Sequence, residues 1–268
     1  MGVLNVTPDS FSDGGKYFTH EKAMIKAQQM IEAGADMIDI GGESSKPGAA
    51  TVSCEEELTR VIPIIKEIRK ESDICLSIDT TKAQVMHEAV AAGASMINDI
   101  SGFRSNESLA LAVKLDVPLC IMHMQGNPET MQNKPFYSQN LIEELNQFFK
   151  QRIATLIAAG IKRQNLIIDP GFGFGKTVEH NMELVNRIAE FKRHDLPLML
   201  GVSRKCSLGL ILNAPVNRRL SGGLAIAVFA ALQGVAIIRT HDVEETNQAF
   251  IMLQAIKEAG NNKKVRVQ

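Results

Sequence analysis

An excess of charge of one sign is missing from this sequence. Its 29 basic and 30 acidic side chains leave a formal net charge of -1. That balance argues against a nucleic-acid or anionic-membrane surface, while leaving room for a local anion site. Long apolar runs are missing as well. The longest, Leu224 to Leu232, is far too short to span a bilayer. No charged-then-apolar leader opens the chain, so a cytoplasmic location is expected. Cysteine is scarce: Cys54, Cys75, Cys120 and Cys206 are scattered, with neither Cys-x-x-Cys spacing nor the density of a disulfide scaffold. The histidines never pair at i, i+4 around a glutamate, which removes one common zinc signature. Of these, His20, His87 and His194 fall on predicted helices and read as surface residues.

What is present is an alternation. Short apolar runs at Gly2–Asn5, Met37–Ile40, Ile74–Asp79, Ser95–Asn98, Leu119–His123, Leu166–Asp169, Leu198–Val202 and Ala236–Arg239 are separated by amphipathic stretches. Their continuous apolarity suits strands buried on both faces of a parallel sheet. Helix starts are visible at Ser53-Cys-Glu-Glu56 and Asp242-Val-Glu-Glu245, which match the capping box. Ala33-Gly34, Ala92-Gly93 and Ala159-Gly160 place a glycine where a helix should end. Eight such units in about 250 residues predict a parallel eight-stranded (β/α)₈ barrel. A doubly wound open sheet is the alternative. No linker or charge block divides residues 1–268, so a single domain is expected.

In such barrels the chemistry sits at the carboxyl ends of the strands. Those ends carry Asn5, Asp39, Asp79, Asn98, His123, Asp169, Lys205 just past the seventh strand, and Arg239 with His241. A single polar strand end is ordinary, since Asp79 before Thr80 could merely cap a helix. A polar group on every strand points to one functional rim. The loops after strands one, two, six and seven are rich in glycine and proline, as lids over a substrate often are. Gly175-Lys176-Thr177 looks like the end of a phosphate-binding loop, but Pro170 stands where its first glycine belongs.

These loops carry a family resemblance. Leu4-Asn-Val-Thr-Pro-Asp-Ser-Phe-Ser-Asp-Gly-Gly15, Asp39-Ile-Gly-Gly-Glu-Ser44, Asn98-Asp-Ile100, Met122-His-Met124, Asp169-Pro-Gly-Phe-Gly-Phe-Gly-Lys176, Ser203-Arg-Lys205 and Arg239-Thr-His241 resemble the ordered motifs of dihydropteroate synthases. The resemblance runs from Gly2 to about Ala259. It implies condensation of 6-hydroxymethyl-7,8-dihydropterin pyrophosphate with p-aminobenzoate, giving 7,8-dihydropteroate and pyrophosphate. A pterin has a guanidine-like donor edge that a buried carboxylate can accept in bidentate fashion. The resemblance gives that role to Asp169, with Asp79, Asn98, Met122 and Lys205 completing the pterin site. Asp79 and Lys205 also count, with Arg239 and His241, among the implied catalytic residues. Asn5, Arg239, His241 and a magnesium ion held near Asn5 would take the departing pyrophosphate. Phe11, Ser45, Lys46, Pro47, Phe172 and Cys206 would surround p-aminobenzoate, the site at which sulfonamides would compete.

The sequence departs from the family where Ser45-Lys46 replaces the usual Thr-Arg and where Cys206 replaces a serine. Lysine keeps the charge but loses the fork of arginine, and a thiol donates poorly. Cys206 directly follows Lys205 and should open the helix after strand seven, so it is expected at the mouth of the p-aminobenzoate site, where it would weaken binding of that substrate. A methyltransferase barrel that binds a pterin would share the pterin-facing residues but has no use for the Ser203–Lys205 and Arg239–His241 anion set. An inactive pterin-binding module is disfavoured on the same ground. Leu220–Gly234 is apolar nearly all round, more than one core-facing stripe needs, which predicts a homodimer.

Overall fold

The computed structural model describes residues 1–7, 16–46, 48–138 and 140–260. Phe11 and Pro47 lie outside the described residues. Eight parallel strands occur among the described residues: β1 (Gly2–Asn5), β2 (Met37–Gly41), β3 (Cys75–Asp79), β4 (Met96–Asp99), β5 (Leu119–Met122), β6 (Leu166–Asp169), β7 (Met199–Gly201) and β8 (Ile237–Arg239). Each lies within a residue or two of its predicted run. β1 through β6 form one continuous sheet, and β7 pairs with β8. Two seams close the ring. Ile168 N donates to Pro197 O at 3.0 Å between β6 and β7, and Val3 N donates to Thr240 O at 2.9 Å between β1 and β8. An open sheet would leave both edges unpaired, so the closed barrel stands and the doubly wound alternative falls.

The helices are α1 (Lys16–Glu32), α2 (Cys54–Glu71), α3 (Ala83–Ala92), α4 (Asn106–Leu115), α5 (Leu141–Ala158), α6 (Val178–Asn186), α7 (Cys206–Leu212), α8 (Leu220–Leu232) and α9 (Val243–Gly260). The repeat is thus regular except after β7, where two helices precede β8. Ser53 caps α2 by accepting from Glu56 N. Gly34, Gly93 and Gly160 follow α1, α3 and α5 at φ +85°, +119° and +109°, a region that costs glycine least. The start of α9 differs from its expected box. Asp242 turns its carboxylate to Ser203 and Arg204 instead.

Strand side chains alternate with a period of two, and here this sorts them into a sheath and a lumen. Leu4, Ile38, Ile40, Leu76, Ile78, Ile97, Ile121 and Ile168 point outward into the main core beneath the helices. Met96, Cys120, Ile167 and Met199 fill the floor of the lumen. One period further along β4 and β6 stand Asn98 and Asp169, with Met122 between them on β5, so polar groups rest on an apolar plug. His194 departs from expectation. It is buried, with Nε2 2.8 Å from Asn146 Oδ1 and its ring against Phe149. The 3₁₀ turn Ile188–His194 folds it inward, which local periodicity does not reveal.

Candidate active site

The register of the ring places the rim residues side by side. Asn5, Gly41, Asp79 and Asn98 are successive partners across β1 to β4, Met122 pairs with Asp169, and Gly201 pairs with Arg239. A Cβ at Gly41 would meet Asn5 Oδ1 and Asp79 Cβ at 3.6 Å, an ordinary van der Waals contact.

One network spans the mouth. Arg239 Nε donates to Asp39 Oδ2 at 2.6 Å and Arg239 Nη2 to Asp79 Oδ2 at 2.8 Å, while Asn98 Nδ2 donates to Asp39 Oδ2 at 3.0 Å. Asp39 is fully buried, and its Oδ1 has no hydrogen-bond partner. Burial pushes the Asp79 carboxyl up to about 7, against the pull of Arg239 and with the help of Asp39. The Arg239 guanidinium is held above its ordinary range by those carboxylates, although burial opposes this. Residues expected at the pyrophosphate and at the pterin thus touch one another through Arg239 and Asp79. The Arg239 side chain is long enough to cross the lumen to β2 and β3.

Asp169 accepts from Gly171 N at 2.8 Å through Oδ1, and among the described residues no other hydrogen-bond donor reaches its carboxylate. Burial raises its pKa, while the Gly171 N–H, Lys205, Arg239 and Lys176 act to lower it. Lys205 Nζ lies 4.0 Å from the centre of the Phe174 ring, a cation–π contact. Burial and the repulsion of Arg239 bring its pKa down to about 8. Met122 packs with Ile100, Met124, Met131 and Phe174 as an apolar wall beside these groups.

Phe172 does not line the mouth. It is 1% exposed and packs in the main core, whereas Phe174 lies under Lys205. Gly171 and Gly173 at φ +72° and +80° set the facing of these side chains, so strand alternation could not have told them apart. His123 also leaves the rim. It is buried against Phe148 and Tyr137, with Nδ1 3.1 Å from Lys176 Nζ.

The loops after β7 and β8 are locked together. Ser203 Oγ accepts from His241 N and lies 3.2 Å from His241 Nδ1, and Arg204 pairs with Asp242. Burial, then Arg239 and Arg204, bring the His241 pKa down to about 4, so its imidazole is neutral. Cys206 opens α7 and is exposed. Ser207 turns inward instead, accepting from Asn181 Nδ2 at 3.0 Å. Ser45 is half-buried and Lys46 exposed on the loop after β2.

A closed parallel barrel whose mouth sets buried carboxylates and an amide beside a cationic cluster has the architecture of a barrel enzyme with its site at the carboxyl ends of the strands. The model of the pterin-binding enzyme family matches residues 1–241. Dihydropteroate synthase of Escherichia coli (strain K12) is 49% identical over 264 residues, covering 98% of this chain and 93% of that protein. The Yersinia pestis dihydropteroate synthase crystallised with a sulfonamide drug superimposes with a TM-score of 0.91 at 48% identity, covering 96% and 94% of the two chains. The Xanthomonas albilineans enzyme with 4-aminobenzoic acid gives a TM-score of 0.91 at 41% identity, covering 96% and 92%. The chain belongs to the pterin-binding enzyme family, on its dihydropteroate synthase branch.

Proposed function

We infer that this protein is a transferase that joins 6-hydroxymethyl-7,8-dihydropterin pyrophosphate to p-aminobenzoate and releases pyrophosphate. The observation that carries the reading is the mouth itself. An Asp169 carboxylate open to a ligand and an Asp79–Asn98 pair stand beside Lys205, Arg239 and His241. The pterin donor edge bonds Asp169, and Asp79, Asn98 and Lys205 take the rest of the ring, with Met122 against its face. The carbon–oxygen bond to pyrophosphate breaks, and the bonding electrons leave with the anion. Arg239 and the neutral N–H of His241 stabilise that charge. The arylamine nitrogen then forms the new bond and releases its proton, and being neutral at pH 7 it needs no strong base.

A magnesium ion would add charge neutralisation at the leaving group. No group of three His, Cys, Asp or Glu that could hold a metal occurs among the described residues. One amide oxygen from Asn5 nevertheless fits an ion that arrives on the pyrophosphate and keeps most of its water. Ser45, Lys46, Phe174 and Cys206 face the second substrate in this reading, and sulfonamides compete there. The enzyme acts in the cytoplasm as a homodimer. Leu210, Leu212, Leu232, Met252 and Ile256 expose apolar surface on α7, α8 and α9, which a second copy would cover. Among the described residues, no helix is long and apolar enough to cross a membrane.

The test is pyrophosphate release measured with both substrates together and with the pterin substrate alone. Release that depends on p-aminobenzoate is expected. Pterin binding without any such release would leave an inactive pterin-binding module.

A further inference from the structure

Three charged side chains from separate elements meet outside the network described above. Lys82 Nζ donates to Glu43 Oε2 at 2.5 Å and to Glu57 Oε2 at 2.6 Å. Glu57 lies on α2 and is fully buried, and its Oε1 has no hydrogen-bond partner. Glu43 stands at the root of the loop that joins β2 to α2, and its Oε1 accepts from Val52 N, across that loop, at 2.9 Å. Lys82 begins α3, three residues after Asp79, with its N–H on Thr80 Oγ1 at 3.2 Å. The same loop root is fixed a second time, by Arg60 Nη1 on Gly42 O at 2.6 Å. Gly42 is required there, since a Cβ would come within 2.8 Å of Glu57 Cγ and Val61 Cγ1.

We propose that Lys82 is a positioning residue: by gripping Glu43 and Glu57 it fixes the β2–α2 loop, so that Ser45 and Lys46 are presented to p-aminobenzoate. The proposal rests on the assignment of that loop to the second substrate. A buried carboxylate without its counter-charge is strongly unfavourable, so the cation holds the two glutamates, and with them the loop, in one arrangement. The side-chain bonds of Lys82 run to Glu43 and Glu57, so its direct hold is on the loop, while Glu57 also acts on Asp79 by its charge. Because it follows Asp79 so closely, it links the end of β3 to the loop that receives the amine.

Lys82→Met, Lys82→Arg and Glu43→Gln test this by two readouts. One is hydrogen–deuterium exchange across residues 44–52, and the other is the pair of Michaelis constants. Lys82→Met should speed exchange in the loop and raise KM for p-aminobenzoate on the order of tenfold, with KM for the pterin substrate within about twofold. Lys82→Arg should recover part of both, and Glu43→Gln, which keeps Lys82, should reproduce the loosening if Lys82→Met folds poorly. Unchanged loop exchange would overturn the role of Lys82 and leave the enzymatic reading intact. A loosened loop with an unaltered KM for p-aminobenzoate would instead overturn the assignment of the loop to that substrate, and the proposal with it.

Discussion

Arg239 reaches from the end of β8 to Asp39 on β2 and Asp79 on β3, so one guanidinium bridges two buried carboxylates across the mouth. Replacing it should therefore move two properties at once. Arg239→Met is expected to lower kcat by roughly 10²–10³, as for other lost charge-stabilising donors. It should also push the Asp79 pKa further up, since a neighbouring cation favours the ionised form. The acid limb of the kcat/KM profile would then shift to higher pH. Near-normal turnover would refute the anion assignment, and an unmoved limb would refute the coupling to Asp79.

Asp79 also predicts a stability profile. Its folded pKa of about 7 lies above the ordinary aspartate value, chiefly because it is buried. The folded state therefore holds this proton where the unfolded chain has lost it, and the group's contribution to stability grows as pH falls from about 7 toward about 4. Asp79→Asn should flatten that rise when urea unfolding is compared at about pH 8 and about pH 5. If the wild type and the variant kept the same pH dependence, Asp79 would not titrate in this window.

Asp169→Asn should abolish tight pterin binding while sparing the fold. The amide oxygen can keep the bond from Gly171 N, but the NH₂ group faces donors where the carboxylate accepted them. Calorimetry with the pterin substrate checks this. Unchanged affinity with a loss of only about 1 kcal/mol in stability would reduce Asp169 to a turn cap.

Cys206 is exposed, Cys54 and Cys75 are half-buried, and Cys120 is fully buried with its thiol pushed well up by burial. Iodoacetamide should therefore label Cys206 first and Cys120 only on unfolding. Saturating p-aminobenzoate should protect Cys206. Cys206→Ser should lower KM for that substrate alone, since a restored hydrogen bond to a charged group is worth roughly 1.5–3 kcal/mol. Absence of protection would place Cys206 away from the second substrate.

For the apolar face of α7 to α9, light scattering at micromolar concentration should give a dimer. Ile256→Glu, at a site that is 65% exposed, should shift it toward monomer without loss of thermal stability. A wild-type monomer would overturn the assignment.

Much of this protein is legible in its sequence because the information is local. Runs such as Leu166–Ile168 are apolar throughout, since both faces of a barrel strand are buried, and Asn5, Asp79 and Asp169 end their runs where the lumen opens. Gly34, Gly93 and Gly160 mark helix ends for a reason confined to their own backbone. Tertiary structure alone decided which rim residues touch. The Arg239–Asp39 bond joins positions 200 residues apart, and only closure of the ring brings β8 beside β1 and across from β2. It also decided that Phe174 rather than Phe172 faces the mouth, that His194 turns inward, and that Lys82 lies between Glu43 and Glu57. Local periodicity records which way a side chain tends to face on its own element. Which charges must share a buried space depends on how distant elements pack, because desolvation and pairing arise only after that packing forms.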